Sequence, residues 1–259
     1  MESLKDKIVL ITGASSGIGK ACAFTFAKEK ANLILCARRY ERIERISQEL
    51  IDKYGIKVFK MKLDVRNYEQ VQNAFSSLPE EWEKIDILVN NAGLARGFSK
   101  LFEGDVNQWD EMIDTNIRGL IHVSREVLNL MIKNEKGHII NIGSTAGHET
   151  YTYGNVYAAT KFAVKALTQS IRLDVLDKGI RVSSVDPGMV ETEFSIVRFS
   201  GDTERAKKVY EGISPLSPED VSNAVLFCAT QPPNVNINQI IITPLCQASS
   251  TQIHRKTMS

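Results

Sequence analysis

Short apolar, β-rich runs alternate along this chain with longer stretches whose apolar positions fall three and four residues apart. The first pattern predicts strands at Ile8–Ile11, Asn32–Cys36, Val58–Leu63, Ile85–Asn90, His138–Ile142, Arg181–Val185 and Gln239–Ile242. The second predicts helices at Lys20–Lys30, Arg42–Tyr54, Glu69–Leu78, Asp105–Lys133, Val156–Asp177 and Pro218–Thr230. Strand–helix alternation of this kind is the pattern of a parallel sheet covered on both faces, an α/β doubly wound architecture with seven strands. Right-handed crossovers and the reversal of strand order put its ligand crevice at the carboxyl ends of the strands.

One stretch breaks the alternation. Residues 188–217 carry Gly188, Gly201, Gly212 and many charges, and are too long for a plain connection. Long loops in compact domains serve as lids or binding loops, so this segment is expected to be a substrate lid containing two short helices. The tail 245–259 is polar and without helical period, and is expected either to fray or to dock on a neighbouring subunit.

A chain of 259 residues, 43% of them hydrophobic, is long enough for one domain that buries roughly 70 to 75% of its unfolded surface, so residues 1–259 are expected to form a single domain. Lys plus Arg (32) nearly cancel Asp plus Glu (31), which argues against a sequence-wide attraction to nucleic acid or to an anionic membrane. Cys22, Cys36, Cys228 and Cys246 are scattered, with no metal-ligand spacing, and read as reduced; no metal is expected. The amino terminus lacks the apolar stretch of a signal peptide, and no run approaches the ~20 residues of a membrane span. The expectation is a cytoplasmic protein.

Candidate chemistry starts at the turn Thr12-Gly13-Ala14-Ser15-Ser16-Gly17-Ile18-Gly19, which lies directly after the first strand and opens the first helix. Gly13, Gly17 and Gly19 allow a tight turn, close backbone approach to a phosphate and close helix–sheet packing, while the helix start offers free N–H groups to an anion. This makes the domain Rossmann-type, with a dinucleotide on the turn. Where an NAD site places a carboxylate at the end of the second strand, this chain has Arg38 and Arg39. Guanidinium groups suit a 2′-phosphate, so NADP is expected, with Arg38 the main clamp and Arg39 partly stacked on adenine.

A second constellation pairs Tyr157 with Lys161, four residues on and therefore on the same helical face. A phenol with an ordinary pKa of about 10 exchanges protons poorly at neutrality, and a neighbouring ammonium is one way to acidify it. Ser144 ends the fifth strand and is placed to hydrogen-bond a substrate oxygen; Asn116, polar in an otherwise apolar helix, is a candidate holder of a water joining Lys161 to bulk. Each residue alone has a structural reading: a core-edge aromatic, a helix cap, a satisfied buried amide.

Taken together, the glycine turn, Asp64-Val65, Asn90-Asn91-Ala92-Gly93, Asn116, Ser144, Tyr157-Ala158-Ala159-Thr160-Lys161 and Pro187-Gly188 followed by Thr192 resemble the short-chain dehydrogenase/reductase family over almost the whole chain. The resemblance implies an Asn116-Ser144-Tyr157-Lys161 tetrad in an oxidoreductase, and assembly as a tetramer or dimer, with a homotetramer expected. It also implies that Asp64 and Val65 hold adenine, and that Gly13, Ser15, Ser16, Gly17, Ile18 and Gly19 hold the diphosphate. Asn90 would hold the ribose region of the cofactor, Lys161 the nicotinamide ribose, and Val190 with Thr192 the carboxamide, with Ala92, Gly93, Tyr157, Pro187 and Gly188 also against the cofactor. One departure is Ser16, where many NADP-using relatives carry a basic residue.

In the lid, Arg198 stands among apolar residues, where a guanidinium needs an anionic partner: a substrate carboxylate, or Glu191 or Glu193. The strings Glu193-Phe194-Ser195, Val197-Arg198-Phe199, Pro218-Glu219-Asp220-Val221 and Asn234-Val235-Asn236-Ile237-Asn238 resemble the NADP-dependent 3-hydroxy acid dehydrogenases, a branch also acting on serine and allo-threonine. That resemblance implies a small 3-hydroxy acid, such as 3-hydroxypropionate or 3-hydroxyisobutyrate, with Ser144, Tyr157 and Arg198 against it; Arg255 in the tail is open between a binding role and a solvated one. Reduction of 3-oxoacyl groups on acyl carrier protein and a non-catalytic NADP-binding sensor are the alternatives.

Overall fold

In the computed structural model, which describes residues 2–256, strands β1 (Ile8–Thr12), β2 (Asn32–Ala37), β3 (Val58–Lys62), β4 (Ile85–Asn90), β5 (Gly137–Ile142), β6 (Ile180–Pro187) and β7 (Gln239–Ile242) make one parallel sheet in the order β3-β2-β1-β4-β5-β6-β7. The order reverses between β1 and β4, so the crevice opens above the ends of these two strands. Alternate side chains of β1 serve two cores: Val9 and Ile11 join Phe26, Leu33, Leu35 and Val225 on one face, while Ile8 and Leu10 join Ile34, Leu88, Val127 and Val182 on the other. Both faces are therefore dry, as the parallel arrangement requires.

Helices α1 (Gly17–Lys28), α2 (Tyr40–Tyr54) and α3 (Tyr68–Ser76) follow the first three strands. α1 starts three residues before the predicted Lys20, because the glycine turn itself forms its first turn. The single helix predicted over Asp105–Lys133 is instead α4 (Val106–Ile113), a π-helical turn at Asp114–Arg118, and α5 (Gly119–Lys133). The apolar period runs through the interruption, so the cause is tertiary. Asn116 in the π turn is held on both sides by the Leu94 backbone, and a Cβ on Gly119 would stand 2.5 Å from Val65 Cγ2.

After β5 come α6 (Asn155–Asp174), β6 and the long segment, which contains the two expected short helices, α7 (Phe194–Arg198) and α8 (Thr203–Lys208). α9 (Pro218–Ala229) starts on a reciprocal cap between Ser217 and Asp220 with Pro218 at its first position, and returns the chain to the α1 face.

The described part of the tail, expected to fray or to dock on a neighbouring subunit, finds partners within its own chain. It folds back on its own chain: Met189 N donates to Gln247 Oε1 (2.8 Å), His254 N to Cys246 O (2.8 Å), and Lys256 N to Gly212 O (2.8 Å). Arg255, left open between a binding role and a solvated one, donates to the Val209 and Glu211 carbonyls just past α8 and also lines the candidate cleft. Residues 257–259 of the predicted tail lie outside the described residues. Among the described residues no helix is long and apolar enough to cross a membrane.

Phe26 is fully buried between α1 and the sheet. Truncating it leaves a cavity that the surrounding strands cannot close, so Phe26→Ala is expected to cost about 3–5 kcal/mol in equilibrium denaturation.

Candidate active site

A cleft of about 780 Å³ opens above the carboxyl ends of β1 and β4. Its floor at one end is the glycine turn. Gly13 (φ +65°) and Gly17 (φ +52°) adopt the left-handed backbone that the turn requires, and Gly19 points away from the cleft, where a Cβ would meet Gly13 O at 2.5 Å. Ser16 occupies the cap position of α1, yet its hydroxyl does not cap the helix, and the first turn of α1 holds no acidic residue. The unpaired N–H groups of α1 thus face the cleft without a side-chain acceptor, which fits a diphosphate.

The Ser15 and Ser16 hydroxyls turn instead to Arg39, accepting from Nε at 3.2 Å and Nη2 at 2.7 Å. Arg39 also pairs with Glu193 at 2.9 Å, and Arg42 joins the same carboxylate at 2.7 Å. Arg39 thus lies across the turn through hydrogen bonds and brings a cation to Ser16, where the sequence alone has none. Arg38 also lines the cleft and is exposed; its charge acts on Asp64 and Glu111.

Beyond it, Asp64 and Val65 form the neighbouring wall. Burial works against the Asp64 carboxylate, but Arg66, bonded to it at 2.6–3.1 Å, holds it below the ordinary range. Ala92 and Gly93 line the cleft, but Asn90 does not. The Asn90 amide faces into the sheet, donating to Asn141 (2.9 Å) and Ser124 (2.8 Å), because alternate strand residues point to opposite faces. Asn91, the next residue, reaches the cleft and clasps the Thr12 and Gly13 carbonyls at 2.9 and 3.2 Å. Asn116 does not line the cleft either. Its amide accepts from Leu94 N and donates to Leu94 O, both at 2.8 Å, and donates to Thr160 Oγ1 at 3.0 Å. With both ends engaged, it fixes the loop after β4.

Ser144, Tyr157 and Lys161 do converge at the other end. Ser144 begins a 3-10 turn over Thr145–Gly147, and a Cβ on Gly147 would stand 2.7 Å from Lys161 O, so this turn packs directly on the backbone of α6. The Lys161 ammonium, 7% exposed, donates to Ile142 O at 2.9 Å. Burial lowers its pKa to about 8, against an opposing pull from Asp186. Asp186 itself is buried, with His148 Nε2 2.6 Å from its carboxylate.

The expected acidification of Tyr157 by Lys161 takes a different form. Burial among Phe194 and Tyr151 raises the phenol above its ordinary range; the groups that pull it down are the Ser144 hydroxyl and the Arg198 guanidinium. The Lys161 ammonium is instead bonded to the Ile142 carbonyl at the end of β5. Arg198 stands over three rings, Phe98 (4.8 Å), Tyr151 (5.6 Å) and Tyr157 (5.8 Å), and donates to Gly97 O (3.1 Å) and the Tyr151 hydroxyl (3.0 Å). Of the two carboxylates expected as alternative partners, Glu193 is occupied by Arg39 and Arg42 and Glu191 forms no ion pair with Arg198, and among the described residues no carboxylate pairs with it. Pro187, Gly188, Val190 and Thr192 close this side, with the Thr192 methyl 3.3 Å from where a Gly17 Cβ would sit.

A family model described as short chain dehydrogenase matches residues 7–202. The chain belongs to the short-chain dehydrogenase family. Among similar short-chain dehydrogenases is the NADP-dependent 3-hydroxy acid dehydrogenase of Schizosaccharomyces pombe, 44% identical over 257 residues that cover 99% of each chain. The serine 3-dehydrogenase of Agrobacterium fabrum is 38% identical, covering 96% of this chain and 98% of that one. A solved structure of serine dehydrogenase in its closed form with NADP+ superimposes with a TM-score of 0.89 at 44% identity, covering 96% of this chain and all of that one.

Within this short-chain dehydrogenase, the sequence reading missed Asn91, Glu193 as an Arg39 partner, Tyr151 and Asp186. Asn91 stood inside the quoted Asn90-Asn91-Ala92-Gly93 string without a role of its own, and Asp186 was visible as a lone carboxylate in an apolar strand just before Pro187. Tyr151 carried no sequence signal of its own.

The Lys161 shift has a thermodynamic consequence. Below about pH 8 the folded state carries the buried ammonium at a cost, and between about 8 and the ordinary 10.5 the unfolded state binds more protons, so this cost is relieved as pH rises. Lys161→Met is therefore expected to be more stable than the parent at pH 7 by about 1–3 kcal/mol, with the gap narrowing by pH 10 in urea denaturation.

Proposed function

We propose that this protein is an NADP-dependent dehydrogenase that interconverts a small 3-hydroxy acid and its 3-oxo form. It is an oxidoreductase acting on a CH–OH group, of the same kind as its 3-hydroxy acid and serine dehydrogenase relatives. The observation that carries the substrate class is Arg198, a guanidinium in an aromatic cage beside Tyr157 with no carboxylate partner among the described residues. A half-buried guanidinium facing a cleft beside the phenol is suited to an anionic ligand.

The α1 N–H groups, Ser15, Ser16, Arg38 and Arg39 hold the phosphates of NADP in this reading. When bound, its nicotinamide exchanges a hydride with the alcohol carbon. Tyr157 gives its proton to the carbonyl oxygen in reduction and takes the alcohol proton in oxidation. Ser144 hydrogen-bonds the same oxygen and steadies its developing charge. Arg198 binds the carboxylate and lowers the phenol at once, so the group that selects the substrate also tunes the acid. Lys161 supplies a fixed positive charge behind the site, and Asn116 holds the loop that bears Gly93 and Leu94. Assembly as a homotetramer in the cytoplasm belongs to the same proposal; exposed Phe227, Ile241 and Leu245, on α9, on β7 and just after it, support self-association.

A substrate panel with NADP(H), covering 3-hydroxypropionate, serine, an uncharged alcohol and a 3-oxoacyl thioester, tests the proposal when repeated on Arg198→Ala. The acids are expected to lose kcat/KM worth about 2–5 kcal/mol while the uncharged alcohol is spared. Equal losses, or a preference for the thioester, would point to acyl-carrier substrates instead. Tyr157→Phe is expected to lower kcat by at least ~10²-fold; near-normal turnover would place the acid elsewhere, and no turnover of any substrate despite tight NADPH binding would favour a sensor.

A further inference from the structure

Glu193 precedes the first residue of α7, and its carboxylate leaves the lid segment altogether to meet two arginines at the start of α2, Arg39 at 2.9 Å and Arg42 at 2.7 Å. Burial works against this carboxylate, yet the two guanidinium groups hold it below the ordinary range. Arg39 spends Nε on Ser15, Nη2 on Ser16 and Nη1 on Glu193. Three of its five N–H groups are thus committed to protein, and the fork is locked in the plane of the phosphate turn with two donors left. The Arg39 and Glu193 side chains are 43% and 42% exposed, so the pair adds little to fold stability; its effect lies in where it puts Arg39.

The other end of the same five-residue helix carries Arg198. Between the two ends, Phe194 packs edge-on to Tyr157 at 5.6 Å, and Val197 O accepts from Arg96 at 2.7 Å. One and a half helical turns are too short to bend, so an anchor at Glu193 fixes the height of Arg198 over the phenol.

We infer that Glu193 is a positioning residue for cofactor discrimination: it aims Arg39 at a 2′-phosphate and, through α7, ties that grip to the placement of Arg198. The inference rests on the NADP reading above.

Fluorescence titration of the Glu193→Gln enzyme with NADPH and NADH tests it without turnover. The NADPH Kd is expected to rise about five-fold and the NADH Kd to change less than about two-fold. In the same variant the KM for 3-hydroxypropionate rises while that for an uncharged alcohol holds, and Glu193→Asp recovers part of both effects. Equal weakening of the two cofactors would mean a merely structural role, and tighter NADPH binding would make Glu193 a competitor of the phosphate; either overturns the inference. Arg39→Ala separates the layers. If that variant loses its preference for NADPH while Glu193→Gln keeps it, or if Arg39→Ala itself keeps the preference so that Arg38 carries the grip, the inference fails alone; if the parent enzyme shows no preference for NADPH, the cofactor reading falls as well.

Discussion

The hydrogen bond from the buried Lys161 ammonium to the Ile142 carbonyl joins the two elements on which the candidate centre depends. A cation taken out of water needs compensation, and this one finds it at the carboxyl end of β5, with the Asp186 carboxylate on β6 pulling in the same sense. α6 is thereby held against the edge of the sheet. The 3-10 turn that begins at Ser144 is pressed onto the α6 backbone through Gly147, a position with no room for a side chain. Ser144 and Tyr157 meet because Lys161 is anchored.

Similar economy of polar contacts organises the opposite end. Thr12 Oγ1 accepts from both Asn91 N and Ala92 N at 3.0 Å, and the Asn91 amide returns to Thr12 O, so the ends of β1 and β4 are laced together below the phosphate turn. The turn is rigid before any ligand arrives, which reduces the ordering cost of binding. Between the two ends runs the segment after β6. It touches the glycine turn through Thr192, the arginines of α2 through Glu193 and the tyrosine through Phe194 and Arg198.

What could be read in the sequence was what is local. The strands, the glycine turn and the Tyr157/Lys161 pair depend on neighbours within a few positions, and all stand where the apolar pattern put them. The π turn at Asp114–Arg118 was illegible because the apolar period continues through it; its cause is the distant Leu94 backbone. The Arg39–Glu193 pair spans 154 residues, so nothing in either neighbourhood announces it. The fold-back of the tail was illegible because its anchors are backbone groups such as Met189 N and Gly212 O, which no side-chain pattern advertises. Asn90 was taken for Asn91 by one position, which in a strand means the opposite face.

The central claim is that one cavity presents a carboxylate-binding guanidinium and a proton-exchanging phenol to the same small molecule. A crystal structure of the ternary complex with NADP and malonate, an unreactive analogue of a 3-oxo acid, tests it most directly. The account predicts one malonate carboxylate on Arg198 and the other within hydrogen-bond reach of Tyr157 Oη and Ser144 Oγ. Malonate bound away from Arg198, with the Tyr157 hydroxyl turned out of the cleft, would contradict it.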